Sequence, residues 1–296
     1  MTQAGPLVQL HISVTRSAWR LAPAWSVAAG AVAALHLPAS AMDGMRVVGA
    51  VILGDLVWGM LRRASLVHVA PRVGAGRPAA PYGQPAAPYG QPAAPYGQPA
   101  SPVGRLLQVL AAADVSWQGA AAGVVLALGG GLLFGWPGLL LSLAALVCAI
   151  IGWSVSSQGA GRGRAPAACH AVLDVLLPWL LGIVAAGRLS DAAIPWEAVV
   201  IGAALTVLQW GFLRTTGASG TGGALPLFVG MGGVLAVHVG LGWPGAAAVT
   251  SVLFAPVAYL YAGGRTGTPV DRRAAWAAPA LYLALFVAAY ALRQSP

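Results

Sequence analysis

Charge is what this chain has least of. Asp, Glu, Lys and Arg together make up 8% of its 296 residues, against about a quarter in soluble domains. Lysine is absent, so all 16 basic residues are arginine, and the single glutamate is Glu197. So few charges leave no water-facing surface on which a soluble catalytic domain could stand. A nucleic-acid surface also needs such a domain, so the net charge of +9 does not point to nucleic acid. Cysteine is nearly missing too. Cys148 and Cys169 are the only two, which excludes a disulfide framework and a cysteine-based metal site.

What fills the chain instead is apolar: 58% of it is hydrophobic, with a mean hydropathy of +0.76. Runs of roughly 17 to 20 apolar residues, each long enough for a bilayer core, recur along almost its whole length. The runs predict spans at about 18–37, 45–61, 117–135, 136–153, 169–187, 196–214, 224–242, 245–262 and 275–292. The shorter stretch 106–113 cannot cross alone and is expected at the interface or as an extension of the third span. Hydrocarbon offers backbone amides no partner, and runs this long are not the alternating segments of a barrel, so the spans are helices. The expected fold is all-α: one polytopic membrane domain over 1–296, with nine transmembrane helices.

Arginine positions set the expected orientation. Basic residues flanking spans stay on the cytoplasmic side. With a cytoplasmic N-terminus, arginines 16, 20, 62, 63, 72, 77, 105, 162, 164, 214, 265, 272 and 273 are inside, and only 46, 188 and 293 are outside. The C-terminus is then expected outside a cell (inner) membrane, and the basic charge faces anionic lipid headgroups. Arg16 and Arg20 precede an apolar run ending in Ala39-Ser40-Ala41, a cleavage-like pattern. That run exceeds a signal core, and its loss would break the alternation, so it is expected to stay as the first span.

Residues 78–104 differ from everything else. Three seven-residue copies of Pro-Ala-Ala-Pro-Tyr-Gly-Gln and a decayed fourth occupy the longest cytoplasmic loop, between spans two and three. Two prolines and a glycine per copy prevent helix and predict an extended, solvated tether. Tyr82, Tyr89 and Tyr96 at even spacing could dock a protein partner; the alternative is a low-complexity loop with none. Elsewhere small residues mark helix packing in lipid: Gly119 to Gly123, Gly129 to Gly131, and Gly230, Gly232 and Gly233. Tryptophans 19, 117, 136, 153, 196, 243 and 276 fall at span ends, as an interfacial belt requires.

Polar groups inside spans are costly and signal function or a buried partner. Asp55 lies in the second span, where a functional role and a structural ion pair with Arg62 both remain open. Asp174 comes shortly before Leu176-Leu177-Pro178 in the fifth span. It either lines the same cavity or makes a capping or interhelical hydrogen bond. His238 stands alone in the seventh span and reads as a packed histidine rather than a ligand. Asp114, Asp191 and Glu197, near helix ends, read as caps or interfacial charges.

Nine spans and an elaborated loop after the second resemble the UbiA superfamily of intramembrane prenyltransferases. That family carries N-D-x-x-D-x-x-x-D at the end of its second helix. Here Gly54-Asp55-Leu56-Val57-Trp58, followed by Arg62, falls on the motif. Asp55 keeps the first acid, Trp58 and Arg62 stand at the other two positions, and the spacing lines one helical face. The family's tyrosine-serine and lysine after the fourth span become Trp153-Ser154 and Gln158, and its Leu-Pro at the seventh span is matched by Leu225-Pro226. Its second aspartate motif has no counterpart, since 209–223 contain no acid.

The resemblance implies transfer of an isoprenoid chain from a prenyl diphosphate to an aromatic or related acceptor. It implies Asp55 as the catalytic acid and ligand of a Mg2+ ion. Magnesium against a diphosphate needs clustered hard oxygens, and one carboxylate beside Arg62 supplies few. Guanidinium binds phosphate directly, so Arg62, Arg63, Arg162, Arg164 and Arg214 on the cytoplasmic side, with Trp58 and Asp174, are the expected substrate contacts. Transfer is therefore expected to be weak or absent. A non-catalytic subunit or scaffold on the same fold is the second reading. A small-molecule or lipid transporter is the third, although no internal repeat of spans is visible.

Overall fold

A computed structural model describes residues 23–34, 40–59, 61, 117–157, 165–187, 194–216, 224–262 and 270–294. Arg62, Arg63, Arg162, Arg164, Asp114, Asp191, Gln158, the 106–113 stretch and the 78–104 repeat lie outside them.

Among the described residues there are nine helices and no strand. They are α1 (Pro23–Ala34), α2 (Ala41–Val51, continued by a π turn Ile52–Val57), α3 (Trp117–Leu132), α4 (Gly135–Ser157), α5 (Ala165–Ala171, a π turn Val172–Leu176, then Leu177–Ala185), α6 (Trp196–Thr216), α7 (Ala224–Gly240), α8 (Pro244–Ala262) and α9 (Val270–Gln294). The chain is thus an all-helical membrane protein. Among the described residues, four segments are long and apolar enough to cross a bilayer: Gly135–Gly152, Ala167–Ala185, Trp196–Thr215 and Ala277–Gln294. Pro23–Ala34, Ala121–Leu132, Ala224–Gly240 and Pro244–Tyr259 are apolar but shorter.

Local chemistry sets the described ends. At the start of α2, the Asp43 backbone N–H donates to Ser40 Oγ while Ser40 N–H donates to Asp43 Oδ2, a reciprocal capping box. The α7–α8 turn closes as a Schellman motif. Gly242, at φ 75°, takes the left-handed position, Trp243 N–H reaches His238 O, and Gly242 N–H reaches Val239 O. Pro244 then opens α8, where its missing N–H costs nothing.

Packing is decided by small residues. Gly30 of α1 abuts the Trp179 carbonyl of α5, and Gly182 of α5 abuts the Val27 carbonyl of α1, so each glycine makes room for the other backbone. Gly211 of α6 and Gly230 of α7 do the same against Leu227 and Leu208. Lipid supplies no hydrophobic drive between helices, and close approach is the main substitute. The expected packing glycines are only partly those used. Gly130 meets Leu53 of α2, Gly131 meets Ser142 and the Gly138 carbonyl of α4, and Gly230 is at a crossing, whereas Gly129, Gly232 and Gly233 have nothing within 4 Å of a Cβ position. Their spacing suited a seam, but these faces turn away from neighbours. The bundle centres on α5, which packs against α1, α2, α4 and α6; every residue from Leu177 to Ala185 is buried.

Candidate functional site

Two of the bundle's helices carry a π turn, and each π turn holds an aspartate: Asp55 in α2 and Asp174 in α5. In a π turn the backbone N–H reaches five residues back, here from Trp58 to Leu53 O and from Leu177 to Val172 O. Such turns are rare and concentrate at functional sites. In α5 the cause is in the sequence. Pro178 has no N–H to offer the Asp174 carbonyl four residues earlier. Ser26 of α1 takes over, its hydroxyl donating to Asp174 O at 2.9 Å, as neighbouring serines do around prolines in membranes.

Both π turns pack on α1, and the first also meets α5 just past the second. A Cβ on Gly54, beside Asp55, would stand 3.1 Å from Val27 Cγ2 and 3.8 Å from Pro178 Cβ. Ser26 and Val27 are consecutive on α1, so one turn of α1 touches both. The side chains differ in setting. Asp174 is 1% exposed and accepts a hydrogen bond from Gln209 Nε2 of α6 at 3.4 Å. Asp55 is half-buried. The interhelical hydrogen bond that was one of two readings for Asp174 is therefore present.

Other expected contacts divide. Trp58 is fully buried, and its indole N–H has no partner among the described residues. It forms part of the core rather than an open surface. Arg214, near the end of α6, lays its guanidinium 5.4 Å from the centroid of the Trp210 ring one turn earlier, a cation–π arrangement that holds the charge in place. Trp210 Nε1 is a buried donor with no partner among the described residues. Gln209, Trp210 and Ser26 were not anticipated from sequence; the acid in an apolar span and the proline after it signalled only that Asp174 needed partners.

His238 is buried, with Nδ1 3.4 Å from Thr250 Oγ1 and its ring 6.0 Å from that of Trp243. Both cysteines are free thiols. Comparison with protein-family models, with curated proteins and with solved structures finds no match to this chain.

Proposed function

We propose that this chain is a nine-span protein of the cell (inner) membrane, N-terminus cytoplasmic and C-terminus outside. We propose further that it takes the head of an isoprenoid diphosphate, or a similarly amphipathic lipid, at the cytoplasmic end of α2, α5 and α6. The observation that carries this reading is the paired π turns at Asp55 and Asp174, in a bundle whose α6 ends on the ring-held cation Arg214. Asp55 and Arg214 lie on the second and sixth helices, whose ends carry the two aspartate motifs in the UbiA family, and Asp174 lies on α5 beside them. Arg214 would receive a phosphate oxygen, with Trp210 Nε1 as a neighbouring donor.

A magnesium ion does not fit the donors described. Asp174 is enclosed and engaged by Gln209, which leaves Asp55 as one carboxylate for a metal that asks for several hard oxygens. The reading is therefore lipid diphosphate binding with little or no metal-dependent transfer. A non-catalytic scaffold is the second reading, favoured by the tight glycine crossing that fills the space between α1 and α5.

Labelled prenyl diphosphates, incubated with purified protein and a panel of aromatic and tetrapyrrole acceptors with and without magnesium, test both. Saturable binding is expected, weakened about tenfold in Arg214→Gln through loss of a charge-assisted hydrogen bond. Magnesium-dependent product that disappears in Asp55→Asn at unchanged melting temperature would restore full catalysis. No binding to wild type would leave the scaffold.

A further inference from the structure

The opposite end of the bundle carries a feature that the proposed function does not use. A cavity of about 1060 Å3 lies between the start of α6, the α7–α8 turn and the last turns of α9. That is at the upper end of the size range of small-molecule sites, roughly 300 to 1,000 Å3. Four aromatic residues line it, Trp196, Trp243, Phe286 and Tyr290, and Glu197 is the one charged residue among its lining residues.

The walls are braced. Phe286 meets the Trp25 ring of α1 edge-on at 6.2 Å and 82°. Trp243 is fixed by the Schellman turn and by the His238 ring behind it. A tryptophan belt accounts for rings at a span end, but not for four of them around one concavity with the chain's only glutamate.

We propose that this cavity is a binding site for an amphipathic organic cation, an ammonium or quaternary ammonium group on an apolar chain. Aromatic faces attract such a cation through their quadrupoles, and Glu197, half-buried beside them, supplies the counter-charge. An anionic ligand would meet the carboxylate and no basic lining residue. A neutral chain would leave the carboxylate only its favourable place in the first turn of α6. The site is independent of the diphosphate reading, because Glu197 and Arg214 stand at opposite ends of α6.

The test is equilibrium binding of labelled octyltrimethylammonium to the full chain in a neutral maltoside detergent, with octanol as the uncharged control. Saturable binding is expected, weakened about tenfold or more by Glu197→Gln, as loss of a paired charge beside aromatic rings predicts, with octanol unaffected. Gly245→Leu provides a second variant. Gly245 lines the cavity and has nothing within 4 Å of a Cβ position, so the leucine occupies the space without displacing a wall. It is expected to abolish saturable binding at unchanged melting temperature. Partition without saturation, equal affinity in Glu197→Gln, or full binding in Gly245→Leu would each overturn the proposal.

Discussion

α4 and α5 follow one another in the chain and are almost equally apolar, with mean hydropathies of 2.0 and 1.9 over their best windows. Yet 28% of the α4 window is buried in the protein against 72% of the α5 window. α4 turns Leu143, Val147, Ile150 and Ile151 outward, as a helix bathed in lipid can. α5 has a proline in mid-helix, a buried acid and a glycine set against the α1 backbone. Hydropathy decides which segments enter a bilayer, and it is indifferent to which of them reaches the middle of the bundle, because lipid solvates leucine as well as protein does. Position is settled by close approach and polar satisfaction. Gly182 admits α1, Ser26 donates to the carbonyl to which Pro178 offers no N–H, Gln209 meets Asp174, and Trp179 Nε1 donates to Ala198 O.

The largest effect should come from closing the α1–α5 crossing. Gly182→Leu places side-chain atoms where the Val27 carbonyl lies and should cost about 3 kcal/mol, the upper part of the usual overpacking range. The matched change in the lipid-facing hairpin is Gly129→Leu on α3, an exposed position with nothing within 4 Å of its Cβ. It should stay within about 0.5 kcal/mol of wild type. Thermal unfolding of both in the same detergent checks the pair, and equal losses would break the distinction between a packed and a solvated helix.

The contrast also marks how far the sequence could be read. All-helical membrane architecture was legible, because run length and the absence of charge are local properties. Partnership was not. Gly30 and Gly182 are 152 positions apart and look like any other glycines, whereas of the conspicuous Gly129 to Gly131 run two glycines meet neighbours and one does not, and Gly232 and Gly233 meet none. At the candidate site, Asp55 and Asp174 stood out as acids in apolar surroundings. The π turns around them did not, since a π turn is a matter of hydrogen-bond register rather than of residue type. Gln209 was unremarked because its partner lies on another helix.

A smaller effect isolates the polar half of the argument. Ser26→Ala removes the donor to the Asp174 carbonyl and should cost about 1 kcal/mol, in the range measured for side-chain hydrogen bonds inside membrane bundles. Pro178→Ala restores a backbone N–H four residues after Asp174. In that background Ser26→Ala should cost almost nothing, because the carbonyl again has a helical partner. A double-mutant cycle reads the coupling directly. Additive losses would mean that serine and proline act independently and that the missing N–H of Pro178 is not what draws Ser26 in.

The smallest expected effect lies at the edge of the bundle, where α2 begins at a water-exposed cap and ordinary solution electrostatics returns. Asp43 Oδ2 accepts from the Ser40 backbone N–H and from its hydroxyl, each at 2.8 Å. These bonds hold the carboxyl below its ordinary value of 3.8, the backbone bond most strongly, then the hydroxyl, with Arg46 adding a weaker Coulombic pull against slight desolvation. A carboxyl depressed in the folded state favours folding above its unfolded value of about 3.9. The contribution fades as pH falls toward the lower folded value and is gone beneath it. Asp43→Ala should therefore lower the melting temperature slightly at pH 6, and the gap to wild type should narrow as pH drops from 5 toward 3. A gap that stays constant over that interval would show that the cap acts through shape alone, with no share for the charge. α2 would then resemble α5 in depending on hydrogen-bond satisfaction at its start as well as along its length.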